Sequence, residues 1–204
     1  MTVTAIEPRR KGLCAVYIDG EFAMKLDAEI VLGHRLDVGR EITDDELHEA
    51  VIASDCKRCK DKALWLISYR DHSRRELSDK LRRDYSDESV EAAVTRCEEL
   101  GLIDDSRYAR RYAADLIHVK HLSERGVRQK LREKGIDRDL VDEVLAGCDL
   151  DEAEQIRDIV NRKYSRTLAD EKTRRRAVSA LQRMGFSYAD IRSVLSEYTE
   201  MDEA

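Results

Sequence analysis

Apolar positions along this chain recur mostly three and four residues apart, the period of an amphipathic helix, and one arrangement of them is written three times. In LREKGIDRDLVDEVL (131–145) the spacing predicts the end of one helix, a glycine stop and a short second helix. Aligning Ile136 with Phe186 reproduces the pattern in LQRMGFSYADIRSVL (181–195). Leu131 then matches Leu181, Gly135 matches Gly185, Val141 matches Ile191, and Val144-Leu145 match Val194-Leu195. An earlier copy, LRRDYSDESVEAAV (81–94), is one residue shorter before its aromatic Tyr85 and continues with Val90 and Ala93-Val94. There Asp84-Tyr85 replace the glycine and the apolar residue after it, so that junction is expected to differ. A helical unit recurring about every fifty residues predicts tandem modules rather than a single-site enzyme.

The start of the chain follows another pattern. Residues 1–11 lack apolar periodicity and read as a loose lead-in. GLCAVYIDGEFAMKL (12–26) alternates on both sides of Asp19-Gly20, which predicts a type I′ hairpin. Cys14, Val16 and Ile18 are expected on one face, with Phe22, Met24 and Leu26 in the returning strand. A lone hairpin is marginal in water, so 27–36 and a helix near 43–55 are expected to support it. Thr43 with Glu46 forms a capping-box signature for that helix, and Leu47, Val51 and Ile52 its apolar stripe.

From Cys56 onward the helical pattern is unbroken, with helices near 59–69, 73–83 and 86–100. Asp104 or Asp105 opens a helix through Tyr108, Tyr112, Leu116 and Val119; Ser123 opens one through Leu131, and Asp137 caps one to Leu145. Asp149 or Asp151 opens the last unit, followed by helices over 171–184 and 187–198. The expected fold is mainly α: three three-helix repeats (56–103, 104–148 and 149–204) in an elongated, curved array. Ahead of them stands a small N-terminal α+β segment (1–55) containing the β-hairpin.

Composition sharpens this picture. At 204 residues the chain can bury real cores, and 39% charged residues with a single proline fit a helical protein with much exposed surface. A net charge of −6 argues against a generic nucleic-acid binder. The charge is uneven: residues 1–56 hold 12 acids against 6 bases, and residues 57–112 hold 14 bases against 12 acids. An oriented surface follows, for which a protein partner fits at least as well as DNA. No apolar run follows Met1 and none approaches about 18 residues, so neither a signal peptide nor a membrane span is expected. Five irregularly placed cysteines read as reduced thiols, and a cytoplasmic monomer is the expectation.

Few residues invite chemistry. Cys56 and Cys59 form a CxxC, but no second pair supports a zinc site and no βαβ pattern a redox one; they read as incidental thiols at a helix start. Cys97 and Cys148 read as small core residues, and His72, His118 and His121 as surface residues. No phosphate loop, nucleophile elbow or zinc-protease motif occurs, so no catalytic, metal or cofactor site is expected. The positive signal is basic. The second helix of each repeat carries a cluster: Arg74, Arg75, Lys80, Arg82 and Arg83; then Arg125, Arg128, Lys130, Arg132 and Lys134; then Lys172, Arg174, Arg175, Arg176 and Arg183. One such run is usually a solvated face, but recurrence on equivalent helices predicts a shared stripe that suits phosphates or a protein–DNA assembly. Tyr69, Tyr85, Tyr108 and Tyr112 could offer stacking, but most fall on apolar stripes and are expected in the core.

GLIDDSRYARRYA (101–113), GVRQKLREKGI (126–136) and LQRMGFSYADIRSVL (181–195) closely resemble the RecX family of bacterial RecA regulators, and YIDGEFAMKL with VGREI (38–42) resembles the hairpin segment of its longer members. The resemblance runs from about residue 12 to the end. It implies a non-enzymatic modulator, with no cofactor, that binds the RecA filament on single-stranded DNA and chiefly inhibits its ATPase, strand-exchange and coprotease activities. Weak direct DNA contact is a further expectation. The alternative is a helical repeat protein that binds single-stranded DNA without touching RecA.

Overall fold

A computed structural model describes residues 1–148, 150–164, 168 and 170–201, with side chains considered through residue 198. Asp149, one of the two predicted helix starts, lies outside the described residues. The chain forms two compact units, divided between Ile103 and Asp104.

The first unit opens with an antiparallel sheet of order β1-β2-β3, comprising β1 (Val3–Arg9), β2 (Leu13–Ile18) and β3 (Glu21–Asp27). Residues 1–11 are therefore not a loose lead-in. β1 is a strand without apolar alternation because only its first residue, Val3, is fully buried. Its register is fixed by backbone instead: β2 pairs along one edge, while Val3 exchanges hydrogen bonds with Arg40 (3.0 Å) and Gly39 (2.8 Å) on the other. The hairpin turn is the expected one, with positive φ at Asp19 (50°) and Gly20 (89°). Phe22 departs from its expected place. Val16 pairs with Met24 and Tyr17 with Phe22, so Ala23 is an extra residue and the strand bulges. Phe22 is carried to the outer face, edge-on to Tyr17 and 53% exposed.

Helix α1 (Ala28–Gly33) leads to α2 (Asp44–Tyr69), whose start has the predicted reciprocal Thr43–Glu46 capping box. Helix α2 runs through positions 55 and 56 without a break, so the CxxC lies inside a helix and not at its start. Its first half packs Leu47 and Ala50 against Val3, Val16, Leu26 and Ile42; Val51 and Ile52, expected on that stripe, are exposed. Its second half serves as the first helix of the first repeat, with α3 (Arg74–Leu81) and α4 (Asp87–Glu99) completing it. Cys59, Ala63, Leu77, Leu81, Val90, Val94 and Cys97 form that core.

The second unit holds two further sets of three helices: α5 (Asp105–Ala114), α6 (Glu124–Glu133) and α7 (Arg138–Ala146), then α8 (Glu152–Lys163), α9 (Glu171–Arg183) and α10 (Tyr188–Met201). The helices are capped: Ser73, Ser86, Asp104, Ser123, Asp137 and Asp151 each accept a hydrogen bond from a backbone N–H two or three residues on. The repeated positions are all core. Leu81, Leu131 and Leu181 have no exposed surface, nor do Val90, Val141 and Ile191.

The glycine stops work through their backbone. At Gly135 and Gly185, φ is 79° and 101°, which lets the N–H of Ile136 reach back to Leu131 and that of Phe186 to Leu181 (3.1 and 3.2 Å). This six-residue closure seats each apolar residue over the helix it follows. Without a glycine, the first repeat closes one residue earlier, from Tyr85 N–H to the Leu81 carbonyl at 3.1 Å. A further departure follows α5, where Asp115–Val119 winds into a π-turn. The wider turn shifts the helical phase, so Val119 sits 70% exposed rather than on the apolar stripe.

Candidate functional site

The basic clusters lie on α3, α6 and α9, the second helix of each repeat, with Arg82, Arg83 and Lys134 just past the helix ends, but their side chains divide into two kinds. Some are bound to carboxylates of their own chain. Arg74 pairs with Glu91 and Glu98 of α4, Arg82 with Asp87 (3.0 Å), and Arg75 with Asp79 (3.8 Å). Arg128 spans from Glu124 (2.9 Å) to Asp142 of α7, Lys130 holds Glu133 (2.7 Å), and Arg175 holds Glu171 (2.9 Å). These contacts show in the titrations: the hydrogen bond from Arg128 holds the Asp142 carboxyl below its ordinary range, and that from Lys130 does the same for Glu133. The Lys134 ammonium sits over the Tyr112 ring, 5.9 Å from its centroid. Arg74, Arg82, Arg128 and Lys134 reach to a neighbouring helix, whereas Arg75, Lys130 and Arg175 pair within their own, and exposed pairs add little stability singly.

Lys80, Arg83, Arg125, Arg132, Lys172, Arg174, Arg176 and Arg183 make no ion pair among the described residues. Two of these meet. Arg125 of α6 and Arg183 of α9 line one groove of about 560 Å³ together with Lys130, Gln129, Gln182 and Tyr188. No carboxylate of the described residues lines it. The groove exists because the second and third repeats interlock at their glycines. Ser123 donates its N–H to the Met184 carbonyl at 3.1 Å, and a Cβ added at Gly185 would lie 2.7 Å from the Gly126 nitrogen. That close approach sets the α6 start against the α9–α10 turn. Arg183 also borders a second surface along α9, with Lys172, Arg175 and Arg176. Guanidinium forks and amides facing one channel suit phosphate or carboxylate oxygens, which they hold by paired charge-assisted hydrogen bonds.

The remaining candidates resolve as follows. Cys59 is fully buried, and burial pushes its thiol up to about 12; Cys56 is half-buried with Sγ 3.3 Å from Ser89 Oγ. Among the described residues, no group of three or more His, Cys, Asp or Glu is placed to hold a metal ion. His72 is buried rather than on the surface: its ring closes the α2–α3 junction, with Nδ1 2.8 Å from the Arg70 carbonyl. Tyr108 is core and Tyr85 and Tyr112 pack at core margins, but Tyr69 is 83% exposed. It stacks on Trp65, itself 58% exposed, so Tyr69 leaves the core position expected of it. The signal that places both outside is that Cys59 and Ala63, not Trp65, carry the buried face of α2.

Three-helix modules in tandem, with cations gathered on their second helices, define a helical-repeat protein. Residues 59–97, 104–145 and 150–195 match the first, second and third three-helix domains of RecX respectively. The chain belongs to the RecX family of regulatory proteins. It is 33% identical over 164 residues to the regulatory protein RecX of Halorhodospira halophila (strain DSM 244 / SL1), spanning 77% of this chain and 97% of that one. To the RecX of Clostridioides difficile (strain 630) it is 25% identical over 206 residues, spanning 98% and 97%. A crystal structure of regulatory protein RecX shares the fold with a TM-score of 0.63 at 24% identity, over 95% of this chain and 98% of that chain. That of RecX from Lactobacillus salivarius gives 0.59 at 24% identity, over 72% and 98%.

Proposed function

We propose that this protein binds the RecA nucleoprotein filament on single-stranded DNA and chiefly inhibits its ATPase, strand-exchange and coprotease activities in the cytoplasm. Family membership supports the partner. The observation that carries the contact is the set of second-helix cations that make no ion pair among the described residues, above all Arg125 and Arg183, whose groove no described carboxylate lines. Cations already neutralised within the chain, such as Arg128, serve the fold in this reading, and those without a partner meet the filament. The protein acts by binding, as a monomer, with the chain divided into segments 1–55, 56–103, 104–148 and 149–204.

The test is the ATPase rate of RecA on single-stranded DNA with this protein added. A concentration-dependent fall supports the reading, and an unchanged rate at saturating protein overturns it. The same groove suits a phosphodiester backbone directly, which keeps a second reading in play: a single-stranded DNA binder that never touches RecA. Affinity for naked DNA equal to that for the filament, with a steep salt dependence, would favour this second reading.

A further inference from the structure

Arg58, Lys62, Trp65 and Tyr69 stand four, three and four residues apart on α2, so they share one face of the helix over about 16 Å. The stripe is built in contact. The Lys62 ammonium lies over the Trp65 ring, 4.1 Å from its centroid, and the Trp65 and Tyr69 rings stack at 6.4 Å with planes 21° apart. Arg58 extends it at the other end, its guanidinium 5.8 Å from the Tyr85 ring centroid. Both stacked aromatics face solvent, Tyr69 almost wholly. The carboxylates nearest the stripe are engaged elsewhere: Asp55, one turn before Arg58, accepts from the Ser86 N–H and hydroxyl (3.3 and 3.2 Å), and Asp61 is held by Lys57 at 3.0 Å.

Two large rings left side by side in water make an exposed apolar patch on α2, and the arrangement calls for an occupant. Two cations running into two stacked rings, with no aliphatic residue between them, match an unpaired nucleic-acid strand better than an apolar pocket on a protein. Phosphates meet the cations, and bases extend the stack from the open Tyr69 ring. Exposed Leu64 lies about 100° round the helix from Trp65 and takes no part in the face. We propose that this stripe is a base-stacking platform for single-stranded nucleic acid, distinct from the phosphate-seeking cations of the second helices. It goes beyond the filament reading and does not depend on it.

Trp65 is the chain's single tryptophan, so its emission reports this site alone. The intact protein, without RecA, is titrated with an oligothymidylate of about sixteen nucleotides and with an abasic strand of equal length. Quenching by the first and not the second is the expected result. By anisotropy of a labelled oligothymidylate, Trp65→Ala and Tyr69→Ala should each weaken binding about tenfold, and Trp65→Phe should restore most of it. Because both rings are exposed, circular dichroism should be unchanged in all three. Equal binding of the abasic strand, unaltered affinity in both alanine variants, or no binding at low salt overturns the proposal. So does loss of RecA inhibition in Trp65→Ala with oligonucleotide affinity intact, which would make the occupant a protein. Because these titrations contain no RecA, their failure leaves the ATPase test of the filament reading untouched.

Discussion

At Gly185 a single added carbon would strike Ser123 Oγ and the Gly126 backbone, in a conformation (φ 101°) that a side chain resists in any case. Gly185→Ala should therefore cost about 2–4 kcal/mol, the strain of positive φ plus a backbone collision. Gly101→Ala provides the control. Its φ is also positive, but nothing lies within 4 Å of the added carbon, so only the conformational part, about 1–2 kcal/mol, should be lost. Equal losses in urea denaturation would remove the collision from the account. His72 acts at the same scale through its charge. Burial pushes its pKa down, with Arg70 and Lys80 adding in the same direction and the Arg70 carbonyl and Glu76 opposing. A folded-state pKa below the unfolded value of about 6.5 favours folding above that value, and the advantage is lost as pH falls through it toward the folded pKa. The urea midpoint should drop between pH 7 and pH 5, and His72→Gln should flatten that drop. A parallel pH profile in the variant would assign the loss elsewhere.

At the scale of elements the three modules repeat energetically as well as geometrically. Leu131 and Leu181 occupy matched, fully buried sites, so Leu131→Ala and Leu181→Ala should each cost about 2–5 kcal/mol and resemble one another. Chemical denaturation of the two variants measures this; a large disparity would mean that the second and third cores relax differently. Much of this level was legible in the sequence, because caps and core positions depend on residues within one turn of each other. Thr43 with Glu46 and Gly135 before Ile136 are local instructions. What was not legible depends on partners far along the chain. β1 is held by backbone pairing that its side chains do not advertise, and α2 joins sheet and repeat because nothing in its sequence stops it. One unpaired residue, Ala23, turned Phe22 outward, and one wide turn did the same to Val119. The site divides likewise. The clusters could be read from composition, but whether an arginine is engaged rests on a carboxylate elsewhere, such as Asp142 for Arg128 or Glu98 for Arg74.

At the scale of the molecule, the proposed filament contact makes function depend on which charges remain uncommitted. Arg125→Glu combined with Arg183→Glu should weaken inhibition of RecA ATPase at least tenfold and leave the thermal melt nearly unchanged, since neither makes an ion pair among the described residues. Arg128→Glu should do the reverse. It places a third carboxylate beside Glu124 and Asp142 and lowers the melt first. Full inhibition by the double variant would displace the groove as the contact. Titrating salt sharpens the comparison, because exposed, unpaired cations lose their attraction as screening rises.

The hydrogen bond from Ser123 to Met184 also bears on how such a chain can be shortened. The second repeat begins α6 on an acceptor that the third supplies, and Glu152 accepts from the next amide, that of Glu124, at 2.9 Å. A version ending at residue 148 would leave both amides without acceptors and open a groove-sized gap beside Gly126. Amide hydrogens at 123 and 124, slow to exchange with deuterium in the whole chain, should become fast in the truncated one. Modules can be counted separately in this protein, but the last two cannot be deleted separately.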